Sequence, residues 1–270
     1  MAQLKRTRVR PDTATVYARA GHIGTSLAEM LDRANQFNMS WWHDDFFGDE
    51  IMGSGATPGM YQIETGTDGA INIEDATATN GEVVLRASNG SGSDNERGGV
   101  AMGLNFRADQ NPVMYARIKI DAITTAKVEV GWTDAVGDAG AVNDLGGNTF
   151  TASDAALWAF DTDDTAYWQF AAADSGTAIT KIENENAPVA ATYETLMVQL
   201  EQSSSTVAAA RGLRFNADGI LIEDTGFQAA AITANVDLTP WVFVQLRTGS
   251  IDRNVTMDMW GAYQRRTNSA

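Results

Sequence analysis

From Trp41 onward, apolar and polar positions alternate in short runs separated by turn residues. "VMYARIKI" (113–120) places Met114, Ala116, Ile118 and Ile120 on one face and Tyr115, Arg117 and Lys119 on the other. "KVEVGW" (127–132) gathers Val128, Val130 and Trp132 in the same way, and "TLMVQLEQ" (195–202) gathers Leu196, Val198 and Leu200. A period of two is the signature of a strand with one face buried. "GLRFNADGILIED" (212–224) reads as a hairpin turning through Asn216, Ala217, Asp218 and Gly219. "PWVFVQLRT" (240–248) and "NVTMDMWGAYQRR" (254–266) supply two more strands, and four weaker candidates lie between residues 60 and 106.

Ten or eleven strands with no helix long enough for a βαβ crossover predict an all-β chain. The expected architecture is an antiparallel two-sheet jelly-roll sandwich over residues 41–270. Pro112 and Pro240 are expected at strand entrances, where a missing N–H costs no ladder bond. The glycine-rich stretches 88–99 and 133–148 are expected as surface loops at the sandwich ends.

Residues 1–40 follow a different pattern. Positions 1–24 show no sustained period and predict an extended arm. "TSLAEMLDRANQF" then predicts one short amphipathic helix, with Leu27, Met30, Leu31, Ala34 and Phe37 at helical spacing and Ser26 with Glu29 as a capping box. Its stripe suits either packing on the sandwich or docking on a neighbouring subunit.

Charge divides along the same line. Lys5, Arg6, Arg8, Arg10, Arg19 and Arg33 against Asp12, Glu29 and Asp32 give residues 1–40 a net 6 − 3 = +3. The chain carries −16, so residues 41–270 carry −16 − 3 = −19. So acidic a body repels nucleic acid and anionic membrane surfaces, leaving the basic leader as the part suited to an anionic partner. No apolar run reaches the roughly 20 residues of a membrane helix, and no apolar stretch follows the basic start as in a signal peptide. Assembly in a cytoplasm is the expectation.

Candidate chemistry is thin. The chain has no cysteine and two histidines, His22 and His43, so thiolate sites, a Ser-His-Asp triad and HExxH zinc chemistry lack their residues. Glycoside cleavage needs two carboxylates, yet the alternating Glu-x-Asp-x-Glu of sandwich glucanases does not occur. Glu183 and Glu185 come nearest, and a solvated edge accounts for them. Calcium would find aspartates at Asp161, Asp163 and Asp164 and at Asp134, Asp138 and Asp144, although turn geometry favours aspartate there equally. Trp158, Trp168 and Trp241 would stack on sugars if exposed together and otherwise belong to the core. "WWHDDFFGDE" (41–50) reads as the seam between arm and body: Trp41, Trp42, Phe46 and Phe47 begin the core, and the acids face solvent.

The order "WHDDFFGDE", "NPVMYARIKID", "KVEVGWTDA", "DAALWAFDTDD", "LRFNADGILI", "LTPWVFVQLRT" and "VTMDMWGAYQRR" resembles the concanavalin-like jelly-roll virion structural proteins of tailed bacteriophages, over residues 41–266. These occur as capsid decoration (cement) proteins and as tail or fibre components. The resemblance implies a binding scaffold without catalytic residues or cofactor, located on the virion. As a decoration protein it would bind the major capsid protein through Lys5, Arg6, Arg8, Arg10, Arg19, Leu27, Met30 and Leu31, and self-associate as a dimer or trimer. The alternative is a carbohydrate- or receptor-binding module of a tail or fibre.

Overall fold

The computed structural model describes residues 39–44, 61–74, 81–88, 90, 94–103, 106–183 and 186–265. The expected arm and helix, together with Phe46 and Phe47, lie outside the described residues. In chain order the first strands are β1 (Met39–Asp44), β2 (Gln62–Thr65), β3 (Ala70–Glu74), β4 (Glu82–Arg86), β5 (Arg97–Ala101) and β6 (Phe106–Arg107). There follow β7 (Val113–Ile120), β8 (Ala126–Thr133), β9 (Val142–Asp144), β10 (Thr149–Phe150), β11 (Ala155–Asp161), β12 (Thr165–Asp174) and β13 (Thr177–Glu183). The last are β14 (Tyr193–Gln202), β15 (Val207–Phe215), β16 (Leu221–Asp224), β17 (Gln228–Thr233), β18 (Asp237–Leu246) and β19 (Asn254–Arg265).

Two antiparallel sheets face each other. One has nine strands in the order β16-β15-β14-β7-β19-β4-β3, with β17 also on β15 and β1 also on β19. The other has eight in the order β13-β12-β11-β8-β18-β5-β2, with β6 also on β18. More strands form than the ten or eleven expected, because several are pieces of two to five residues sharing one side of a longer strand.

The inner faces are those the alternation predicts. Met114, Ala116, Ile118 and Ile120 of β7 meet Val128, Val130 and Trp132 of β8 in a single core that also holds Leu196, Val198 and Leu200. Trp132 and Trp158 donate their indole N–H groups to the Val198 and Met197 carbonyls of β14 at 3.2 and 3.3 Å, which ties one sheet to the other. Gly212 makes room for Trp158 and Phe170: a Cβ there would lie 2.8 Å from the first and 2.6 Å from the second. The 216–219 turn forms as read, with Gly219 at φ +73° and the Asn216 side-chain oxygen accepting from the Asp218 and Ile220 amides.

Two expectations are corrected. Pro240 lies inside β18, opposite Trp132. It is tolerated because it falls in the gap between β6, which pairs through Leu238, and β5, which begins pairing at Trp241. The 133–148 stretch is not a surface loop at a sandwich end. It folds across the outer face of the eight-stranded sheet, where Ala141, Val142 and Leu145 build a second core with Leu157, Trp241 and Phe243. All eight residues of β8 are therefore buried, Lys127 and Glu129 included. Glu129 accepts from the Ala141 and Val142 amides at 2.7 and 3.0 Å and from the Trp241 indole at 2.9 Å. Lys127 lies 2.9 Å from Glu129 and donates to the Ala139 and Val142 carbonyls.

Candidate functional site

The structure sorts the candidates of the sequence. Lys5, Arg6, Arg8, Arg10, Arg19, Leu27, Met30 and Leu31 lie outside the described residues. Trp158, Trp168 and Trp241 are fully enclosed, so none presents a ring to a ligand. Nor does the start of the body keep its polar groups in solvent: Asp44 is half-buried and accepts from the Tyr61 hydroxyl. His43 Nδ1 lies 2.8 Å from the buried Tyr115 hydroxyl. Trp42 packs edge-on against Trp260 and Tyr61, as a first core aromatic should.

The aspartates offered to calcium are held by other groups. Asp161 pairs with Arg247 and Asp138 with Arg97. Asp164 accepts from Gln169 and Lys181. Asp134 accepts from the Ser153 amide, and Asp144 from the Gly147 amide. Among the described residues, no three His, Cys, Asp or Glu side chains converge as metal ligands.

Glu194 is also consumed internally. Arg214 grips it with two hydrogen bonds of 2.8 and 2.9 Å, and the Trp168 indole donates to it at 3.1 Å. Arg214 also donates to the Asn186 and Ala187 carbonyls, fixing the crossing from one sheet to the other.

The outer face of the nine-stranded sheet carries the remaining candidate site. Register sets Tyr263 opposite Val113, and Val113 opposite Gln199. Over this row lies a pocket of about 210 Å³ lined by Asn111, Gln199, Glu201, Phe227, Tyr263 and Arg265, with Val113 at its base. Phe227 is 43 % exposed, and the Arg211 guanidinium stands 5.6 Å from its ring centre. Arg211 is itself held by Asp224 through two hydrogen bonds, which raise the arginine pKa and lower that of the aspartate. Asn111, at φ +50°, accepts from the Gln202 amide at 2.7 Å and so fixes the pocket rim.

Further along the same face, Arg117 and Lys119 stand over the Tyr193 ring at 4.2 and 4.7 Å. Tyr193 donates to Glu82 at 2.6 Å, and Arg117 pairs with Asp258. Burial pushes the Asp258 carboxyl up, against the pull of Arg117.

Chemically, the pocket offers aromatic faces to apolar C–H surfaces and planar amide, carboxylate and guanidinium groups to hydroxyls. Its lining includes one carboxylate, Glu201, where acid–base glycoside cleavage takes two. Sequence reading missed this site because its residues come from distant strands. The one local signal is Phe227, a large aromatic in the otherwise small and polar "TGFQ" turn.

No family model matches the chain, and no curated protein matches it in sequence. Solved structures do match in fold. A protein of unknown function from Shewanella oneidensis MR-1 superposes with a TM-score of 0.61 at 12% identity, covering 86% of this chain and 89% of that one. Peanut lectin gives 0.55 at 10% identity, covering 85% and 99%. A Bacillus licheniformis beta-glucanase gives 0.51 at 14%, covering 84% and 98%. The chain has the concanavalin-like jelly-roll sandwich that this lectin and this glucanase share.

Proposed function

We propose that this chain is a non-catalytic carbohydrate- or receptor-binding jelly-roll module of a phage tail or fibre. The observation that carries the reading is the pocket on the nine-stranded sheet, where Phe227 and Tyr263 stand beside amides, Arg265 and a single carboxylate. The lectins among the fold neighbours support a binding role, and the sequence resemblance supplies the virion setting. The outer face of the other sheet is covered over β8, β11 and β18 by the chain's own 133–148 stretch. Glycan-array binding by the full chain, lost in Phe227→Ala, is the expected result. Binding that survives the substitution would place recognition elsewhere.

A second reading, capsid decoration, is favoured by the charge split of +3 in residues 1–40 against −19 in the remainder. Here the basic leader docks on the major capsid protein and the acidic sandwich faces outward. Neutralising Lys5, Arg6, Arg8 and Arg10 in the full chain should then abolish co-sedimentation with capsids. Retained co-sedimentation would remove this reading.

A further inference from the structure

Val113, Tyr115, Met197, Leu213, Phe215 and Met259 form a third apolar cluster, with Tyr263 packed against it. Register places it on the outer face of the nine-stranded sheet, where Met197 pairs with Tyr115 and Leu213, and Phe215 with Thr195. All six are between 0 and 7 % exposed, and Thr195 among them is buried as well. Side chains on an open sheet face shield one another's flanks but keep their tips in water. Here the tips are covered, yet every member of the cluster belongs to β7, β14, β15 or β19 of the sheet itself. The opposite outer face shows the contrast, since its cluster includes Ala141, Val142 and Leu145 of the stretch that covers it. Among the described residues no strand or helix plays that part here.

Position and length identify the cover. The helix that "TSLAEMLDRANQF" predicts lies outside the described residues and ends at Phe37, two residues before Met39 opens β1. β1 pairs with β19, the strand of Met259 and Tyr263, so the segment arrives at the edge of the cluster. Leu27 to Phe37 is eleven residues, about 16 Å of helix. The cluster runs from β19 through β7 and β14 to β15, three inter-strand steps, or about 14 Å. So short a helix is marginal in water and needs a surface, and its stripe of Leu27, Met30, Leu31, Ala34 and Phe37 suits an apolar one. Residues 45–60 are worse placed. They leave from Asp44 and return at Tyr61, which bonds Asp44 and stacks on Trp260 on the inter-sheet side, three strands from Leu213.

We infer that the helix predicted at 25–37 crosses the outer face of the nine-stranded sheet and seats its apolar stripe on this cluster. This inference is independent of the glycan reading. Leu27, Met30 and Leu31 then serve the chain's own body, in place of the capsid-binding role that the phage resemblance implies for them. Lys5, Arg6, Arg8, Arg10 and Arg19 are left for an outside partner.

The test uses the full chain, which has no cysteine, so Met197→Cys supplies a unique thiol beneath the cover. That thiol should react with a maleimide at least tenfold more slowly than one introduced by Ser204→Cys on an exposed turn. Adding Leu27→Asp and Leu31→Asp should raise the rate at position 197 at least tenfold while the sandwich keeps its melting transition. Hydrogen exchange on the unaltered chain decides the matter if that variant misfolds: amides of 28–37 should exchange at least tenfold more slowly than those of 5–24. A fast-reacting thiol at 197, or a slow one indifferent to the two aspartates in a folded variant, would overturn the proposal. So would protection lost on dilution, which would make the cover a second copy, or equal exchange in the two segments.

Discussion

Lys127 and Glu129 stand two apart on β8 and meet at 2.9 Å with neither side chain exposed. Together they hold residues 139–142 down on the sheet, since Glu129 accepts two amides and Lys127 donates to two carbonyls of that stretch. Removing one partner of a buried pair strands the other charge, at about 3–5 kcal/mol. Lys127→Met should cost that much in urea unfolding. The double change Lys127→Met with Glu129→Leu should not recover wild-type stability, because the Ala141 and Val142 amides lose their acceptor. Full recovery would show that the pair matters only as a pair.

Gly212 presents another sharp dependence. A methyl group there meets Phe170 and Trp158 below 3 Å. Overpacking of this kind costs about 1–3 kcal/mol. Gly212→Ala should lower the calorimetric melting temperature, and an unchanged melt would mean the two aromatic rings can repack.

The pocket and the tryptophans separate two modes of sugar binding. Phe227 and Tyr263 line the pocket, whereas Trp158, Trp168 and Trp241 are enclosed. Glycan binding should leave tryptophan emission unshifted and should be lost in Phe227→Ala, with stability changed by no more than about 0.5 kcal/mol because that ring is surface-exposed. A blue shift on titration would point to a tryptophan site instead.

The pH dependence has a definite sign. Burial raises the carboxyl pKa of Asp121, Asp134, Glu223 and Asp258. A folded-state pKa above the unfolded one contributes stability that is present below the unfolded value and lost as pH rises through the folded value. Asp224 runs the other way: Arg211 lowers its pKa, so its contribution disappears only in acid below the usual aspartate value of about 3.9. Melting temperature should therefore rise as pH falls from about 7 toward the ordinary carboxylate range of about 4, helped by the declining net charge. A steady fall over that window would mean these four carboxylates are not desolvated in solution.

Much of the sandwich was legible because alternation fixes which face of a strand is buried. β7, β14 and the 216–219 turn appear where Met114 to Ile120, Leu196 to Leu200 and Asn216 to Gly219 place them. β8 shows the limit of that reading. Lys127 and Glu129 look like the wet side of a strand until a loop of small residues covers them, and nothing local in "KVEVGW" announces the loop. Pro240 misled for a related reason, since whether a proline breaks a ladder depends on gaps in its neighbours. Of the pocket only Phe227 left a local signal, because Asn111, Gln199 and Tyr263 join it only through strand order.

The pairing of Met39 with Arg265 and of Trp41 with Tyr263 gives the body a single point of suspension. Both ends of the described sandwich leave from one corner, and Tyr263 and Arg265 at that corner also line the pocket. A module hung from this corner on a larger particle would turn its pocket toward the stem that carries it. Ligands would then have to be reached from the side, or be part of the particle itself. The opposite placement, an affinity tag in the 216–219 turn, keeps both the stem and the pocket clear.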